Sequence, residues 1–165
     1  MSDKVLVAGI GNIFLGDDAF GVEVAQRLAC RPLPDGVKVV DFGIRSYDLA
    51  YELMKDWDLV ILIDALPGGG KPGTLYVLEA ELPEEGGVPA SLDVHTMNPT
   101  AVLQLVSALG GRPERMLVVG CEPASVEPDE NGIVGLSAPV SSMVNEAARM
   151  VEDLIIRGRS VAKAA

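Results

Sequence analysis

Continuous apolar runs constrain the fold of this chain more than any other feature of its sequence. VLVAGI (residues 5–10) and LVILI (59–63) carry no polar side chain, as expected for strands that are buried on both faces of a sheet. The segment after the first run repeats apolar residues at helical spacing, at Val22, Ala25, Leu28 and Ala29. Strands that alternate with helices predict a layered α/β protein.

The remaining elements continue this alternation along the chain. We predict strands at 37–42, 58–63, 73–80 and 115–121, and helices at 46–54, 98–110 and 137–158. Ser46 and Asn98 are the predicted N-cap residues, and Pro99 suits a first helical position. Gly110 and Gly158 are the predicted helix ends.

One connection in this pattern is too short for a parallel crossover. Only ALPGGGKPG (65–73) joins the third predicted strand to the fourth, whereas parallel neighbours need a dozen or more residues between them. We therefore expect the fourth strand to run antiparallel to the others, in a mixed and mostly parallel sheet of five strands.

Length and composition limit the function classes. The 165 residues suit one domain, which we place at 1–158, with 159–165 as a flexible C-terminal tail. A formal net charge of -11 argues against nucleic acid as a partner. No apolar run approaches the roughly 18 residues of a membrane span, and the N-terminus does not read as a signal peptide. We expect a cytoplasmic protein without membrane contact, and a monomer because its helices are amphipathic.

Glycines after the first strand suggest a nucleotide loop, but their spacing and the residues that follow disfavour one. Gly9, Gly11 and Gly16 do not have G-x-G-x-x-G spacing, and no Walker lysine follows. Asp17 and Asp18 occupy the helix start where a phosphate would bind. One aspartate suffices to cap the helix, so the second is free to point into the crevice at the strand's carboxyl end, where open α/β sheets bind ligands.

Asp64 and His95 are the other candidate site residues. Asp64 ends the third strand and opens onto the same crevice, although strand-end aspartates equally often cap turn amides. His95 is the only histidine. A lone histidine just before a helix is more often a packing or hydrogen-bonding residue than a metal ligand. However, the chain must return from the antiparallel strand toward the crevice, which brings His95 near Asp18 and Asp64. Two carboxylates and an imidazole make an open site suited to zinc or nickel, weakly held without a thiolate.

The two cysteines offer a different chemistry. Cys30 and Cys121 are far apart in sequence and are expected to be free thiols packed as small hydrophobic residues. A Cys121–His95 pair would make a thiol hydrolase. A serine hydrolase would also have to use His95, but its neighbour Ser91 does not lie in a G-x-S-x-G elbow. We favour an inert buried thiol at Cys121.

These residues together resemble the hydrogenase maturation endopeptidases, which remove the C-terminal extension of the [NiFe]-hydrogenase large-subunit precursor. The resemblance covers most of residues 4–156. This chain departs from it at Phe42–Gly43, where some members have two glycines, and the departure leaves the substrate specificity open. It is carried by VLVAGIGNIFLGDDAFGVEVAQRL, DFGIRSYDLAYEL, LVILIDAL, PGTLYVLE, HTMNP, VVGCEPASVEP and GLSAPV.

The resemblance implies a three-layer, phosphorylase/hydrolase-like α/β/α fold around a mixed five-stranded sheet. It also implies that Asp18, Asp64 and His95 are both the metal-contacting and the catalytic residues. The nickel would arrive inside the substrate, held by the large subunit's cysteines, rather than reside in the protease, and zinc or cadmium could substitute for it in vitro. The metal would either activate water or only position the chain while a carboxylate acts as base. The alternative is a nickel-checkpoint chaperone that binds the precursor without cutting it.

Overall fold

The computed structural model describes residues 3–81, 99–124 and 134–164. The strands are β1 (Val5–Ile10), β2 (Val37–Gly43), β3 (Leu59–Ala65), β4 (Leu75–Glu79) and β5 (Met116–Cys121). The helices are a 3-10 turn (Gly16–Ala19), α1 (Phe20–Ala29), α2 (Ser46–Glu52), α3 (Pro99–Ala108), α4 (Ala138–Ser141) and α5 (Val144–Ala164). Within these residues, no helix combines the length and the apolar character needed to cross a membrane.

The strands form one mixed sheet in the order β2-β1-β3-β5-β4. β1 pairs in parallel with β2 and β3, and β3 pairs in parallel with β5. β4 is antiparallel to β5, with Leu75 opposite Cys121 and Glu79 opposite Leu117. The antiparallel strand predicted from the short connection after β3 is therefore confirmed.

Helices cover both faces of the sheet and make three layers. Alternate residues of β1 face opposite sides, as the pleat requires. On one face the core contains Val5 and Val7 with α1 and α5 residues, namely Phe20, Val24, Leu28, Val144, Val151 and Ile155. On the other it contains Leu6 and Ala8 with residues of α2, its C-cap and α3, namely Leu49, Leu53, Val102 and Val106. The expected α/β/α architecture is confirmed.

Two of the predicted helices differ from those in the structure. α2 begins at Ser46 itself and ends at Glu52, with Arg45 in the N-cap position and no side-chain cap. The last predicted helix is two helices, and Gly158 does not end the second one, which continues to Ala164. A glycine within a helix costs only about 1 kcal/mol, and at Gly158 a Cβ would lie 2.8 Å from Leu59 Cδ2. The domain boundary at residue 158 stays a prediction.

The prediction that both cysteines are packed in the core is wrong for one of them. Cys121 is buried at the end of β5, whereas Cys30 is exposed. Cys30 follows the last residue of α1 as its C-cap. Both thiols are free.

The start of α1 lies directly on the ends of two strands because glycines allow the approach. A Cβ at Gly21 would lie 2.0 Å from the carbonyl oxygen of Ile63 and 2.5 Å from that of Ile10. A Cβ at Gly9 would lie 2.3 Å from the carbonyl oxygen of Gly21. Backbone atoms cannot yield at such distances, so both positions require glycine.

Gly21→Ala should therefore lower the free energy of unfolding by roughly 3 kcal/mol, because the added methyl group forces the helix and sheet apart. Gly158→Ala is the control, because its methyl group meets only the end of a leucine side chain and alanine favours the helix; we expect a change of about 1 kcal/mol or less. Urea unfolding of both variants measures the difference. Equal effects would contradict this account of the interface.

Candidate active site

The crevice between β1 and β3 is the topological switch point of the sheet. From β1 the chain passes to β2 on one side and then to β3 on the other. In open α/β sheets, ligands bind outside the carboxyl ends of the strands at such a point. The 3-10 turn that follows β1 carries Asp18, and β3 carries Asp64 as its penultimate residue.

Asp64 is a carboxylate held in an apolar strand. It is only 2% exposed, and its Oδ1 accepts a hydrogen bond from the Ala65 N–H at 2.8 Å. Burial, followed by the negative charge of Asp18, raises the pKa of Asp64 well above its ordinary value, and the Ala65 hydrogen bond opposes this only in part. This single hydrogen bond comes from an amide within β3 rather than from a turn, and it leaves the buried carboxylate largely uncompensated.

Asp18 is half-buried beside it. Its Oδ2 accepts a hydrogen bond from the Asn12 N–H at 2.7 Å. Burial raises the pKa of Asp18, and the Asn12 hydrogen bond lowers it by a smaller amount. Across residues 3–81, 99–124 and 134–164, neither Asp18 nor Asp64 forms an ion pair. The crevice therefore contains two neighbouring carboxyl groups, and a bound cation would stabilise their ionised forms.

Asp17 has a different role from its neighbour. Neither aspartate caps its own helix through its side chain, so the capping prediction is wrong. The buried Asp17 carboxylate accepts hydrogen bonds from the Ala124 N–H at 2.8 Å and from Ser137, both N–H at 2.7 Å and Oγ at 2.8 Å. Asp17 thus fastens the chain after β5 and the residue before α4 to the turn that carries Asp18.

His95 lies outside the described residues, as do Ser91 and Asn98. The structure brings Asp18 and Asp64 together, and the predicted third member of the site stays a prediction. Within the described part of the chain, no group of three or more histidine, cysteine, aspartate or glutamate residues could hold a metal ion. Two carboxylates offer oxygen ligands to a divalent cation and leave its remaining positions to other groups.

Cys121 has the properties of an inert thiol. Burial, then the negative charges of Asp17 and Glu122, raise its pKa to about 11. A thiol with such a pKa is almost entirely protonated at neutral pH and is a poor nucleophile. This environment disfavours the thiol hydrolase considered from the sequence.

Glu122 is a buried carboxylate that the sequence prediction missed. It accepts hydrogen bonds from the Gly68 N–H at 2.7 Å, the Gly69 N–H at 3.2 Å and the Tyr76 hydroxyl at 2.8 Å. These bonds, that of Gly68 first, lower the pKa of Glu122. Glu122 therefore fixes the turn that leads away from Asp64. An acidic residue directly after a fully apolar strand was the available signal.

The fold and the carboxylate pair define an α/β protein with an acidic site at its switch point, and comparisons identify its family. The family model of the hydrogenase maturation proteases matches residues 22–154. The chain is 33% identical over 146 residues to the hydrogenase expression/formation protein HupD of Rhizobium leguminosarum bv. viciae, covering 87% of this chain and 70% of HupD. It is 32% identical over 154 residues to the hydrogenase 2 maturation protease of Escherichia coli, covering 90% and 88%.

A solved structure agrees with these sequence matches. The hydrogenase maturating endopeptidase HybD from E. coli superimposes with a TM-score of 0.69 at 32% identity, covering 90% of this chain and 89% of HybD. The chain belongs to the hydrogenase maturation protease family, and the resemblance inferred from its motifs is confirmed.

The raised pKa of Asp64 predicts how stability depends on pH. Between the ordinary carboxyl value of 3.8 and the raised value, the folded chain binds a proton that the unfolded chain releases, so stability rises as the pH falls and is lost as the pH rises. Asp64→Asn should remove this contribution and raise Tm in metal-free buffer at pH 7.5 by about 2–4 °C, the effect of roughly 1 kcal/mol in a chain of this size. Parallel Tm–pH curves for the two proteins would contradict the shift.

The three hydrogen bonds of Asp17 predict a large structural effect. Asp17→Ala should lower the free energy of unfolding by roughly 3 kcal/mol, because it removes three hydrogen bonds from a buried carboxylate that links distant segments of the chain. Asp48→Ala, which removes an exposed partner of Arg45, should cost less than about 1 kcal/mol. Chemical denaturation of both variants gives the comparison, and similar losses would refute the role of Asp17.

Proposed function

We propose that this protein is an endopeptidase that removes the C-terminal extension of a [NiFe]-hydrogenase large-subunit precursor after nickel has been inserted. The observation that carries the proposal is the Asp18–Asp64 pair, which lies at the switch-point crevice without a cationic partner in the described residues. Membership of a family of hydrogenase maturation proteases supports the reaction class.

Nickel enters this proposal as part of the substrate. The large subunit's cysteines would hold the ion, and Asp18, Asp64 and His95 would add oxygen and nitrogen ligands as the precursor docks. A divalent cation between the two carboxylates would offset their mutual repulsion and the cost of burying Asp64. A precursor without nickel would meet uncompensated negative charge instead, so the enzyme would select the loaded precursor by differential binding.

The cleavage itself is hydrolysis of a peptide bond. Water attacks the scissile carbonyl carbon, the carbon–nitrogen bond breaks, and the released amine takes up a proton. A carboxylate with a raised pKa is suited to accept the proton of the attacking water. In our proposal, nickel holds the precursor so that its scissile bond lies beside the Asp18–Asp64 pair, which supplies the orientation that the reaction needs.

The setting of the reaction is also proposed. We propose a monomer that acts in the cytoplasm without membrane contact, and the net charge of -11 disfavours nucleic acid as a partner. In vitro, zinc or cadmium should compete for the same oxygen and nitrogen ligands.

Substitution of the carboxylates tests the proposal directly. Asp18→Asn, Asp64→Asn and His95→Ala should each lower the rate of precursor processing by about 100-fold or more, because each removes a ligand or a proton acceptor. The matched control is Asp153→Asn, which removes one negative charge from the exposed side of α5 and should leave the rate unchanged. Intact mass spectrometry of nickel-loaded precursor measures the released peptide.

The outcomes separate the candidate functions. Full processing by Asp64→Asn would refute the site. Nickel-dependent binding of precursor by the wild-type protein without release of a peptide would favour the non-cleaving chaperone instead.

A further inference from the structure

Beside the crevice, exposed apolar side chains surround a cavity of about 360 Å³. Ile13 and Phe14 belong to the loop after β1, and Ile44 to the loop after β2; they are 50%, 64% and 57% exposed. Gly11, Phe42 and Gly43 complete the apolar part of the lining. Side chains of this kind are normally withdrawn from water, and a cluster of them around a concavity is typical of a binding site.

The two loops that form this cavity are already fixed in the free protein. The Gly11 N–H donates to the Gly43 carbonyl oxygen at 3.0 Å, and the Phe14 N–H donates to Asn12 Oδ1 at 2.9 Å. Gly43 has a φ of +56°, which favours glycine and directs the β2 loop toward its neighbour. A cavity with preformed walls loses little conformational entropy when it is filled.

One residue connects the cavity to the candidate active site. Asn12 lines the cavity, and its N–H donates to Asp18 Oδ2. A chain that fills the cavity therefore lies next to Asp18. Because an extended peptide advances about 3.3 Å per residue, only a few residues separate a side chain in the cavity from a bond at the carboxylates.

The charged residues of the lining do not suit an acidic occupant. Arg45 donates to the carbonyl oxygens of Asp41 and Phe42 and to the Asp48 carboxylate, so the chain itself already engages its guanidinium. The other charged lining residue is Asp41, and the whole chain carries a net charge of -11. An apolar side chain is the occupant that this lining fits best.

We propose that the Ile13–Phe14–Ile44 cavity is a specificity pocket, which binds an apolar side chain of the precursor within a few residues of the bond that is cut. The inference rests on the proposed function, because it takes the precursor as the occupant. The pocket orients the chain, while the carboxylates act on it.

Steady-state cleavage of nickel-loaded precursor tests the pocket. Phe14→Ser and Ile44→Ser should raise KM about tenfold or more with little change in kcat, the pattern of lost ground-state binding. The control is Ile156→Ser, also an exposed apolar residue, 60% exposed on α5; its kinetics should match the wild type. All three variants should keep the wild-type Tm, since none of these residues is in the core.

A double-mutant cycle identifies the side chain that is bound. Each apolar precursor residue within four positions of the cut is replaced by serine, and both wild-type and Phe14→Ser enzymes are assayed on every substrate. At one position, the effect of Phe14→Ser on kcat/KM should disappear, because the partner of Phe14 is already missing. Phe14→Ser and Ile44→Ser enzymes with kcat/KM within twofold of the Ile156→Ser control would overturn the proposal.

Failure of the proposed function would be recognised separately. If the wild-type protein binds the nickel-loaded precursor but does not cut it, fluorescence titration gives Kd for the same variants. A tenfold weaker Kd for Phe14→Ser would support the pocket although the endopeptidase proposal had failed. An unchanged Kd, or no binding by the wild-type protein, would overturn the pocket.

Discussion

Contact between the first turn of α1 and the ends of β1 and β3 is the constraint on which the site depends. Gly9 and Gly21 allow backbone to meet backbone there, at distances that no Cβ tolerates. This contact sets the 3-10 turn directly above the end of β3. Asp18 thereby comes close enough to Asp64 for its charge to raise the pKa of that residue. Gly9, one of the glycines that suggest a nucleotide loop in the sequence, serves helix–sheet packing in the structure.

Other buried carboxylates keep the surroundings of this pair in place. Asp17 ties the turn to Ala124 and Ser137, and Glu122 fixes the turn after β3 through two glycine amides and Tyr76. Both are satisfied by hydrogen bonds, as buried polar groups usually are. Asp64 has one such bond in the same environment. The contrast in hydrogen bonding is the physical reason for proposing Asp64, rather than Asp17 or Glu122, as a site residue, because buried carboxylates with raised pKa values are common at functional sites.

The sequence was sufficient to predict the architecture because local signals and chain length agree. Apolar runs identified β1 and β3, and the nine residues 65–73 were too few for a crossover, which required the antiparallel β4. Hydrogen bonds between distant segments could not be predicted in this way. Asp17 and Ser137 are separated by 120 positions, and no periodicity connects them. The continuation of α5 through Gly158 could not be predicted either, because a glycine near a helix end indicates termination in a sequence although a helix interior tolerates one at a cost of about 1 kcal/mol.

The central claim is that the carboxylate pair acts on nickel that the precursor carries. Cleavage of one purified large-subunit precursor, prepared with and without nickel and followed by intact mass, tests this claim most directly. The account predicts that a C-terminal peptide is released only from the nickel-loaded sample. Equal release from the nickel-free precursor would contradict it, because the Asp18–Asp64 pair would then have no need of the cation.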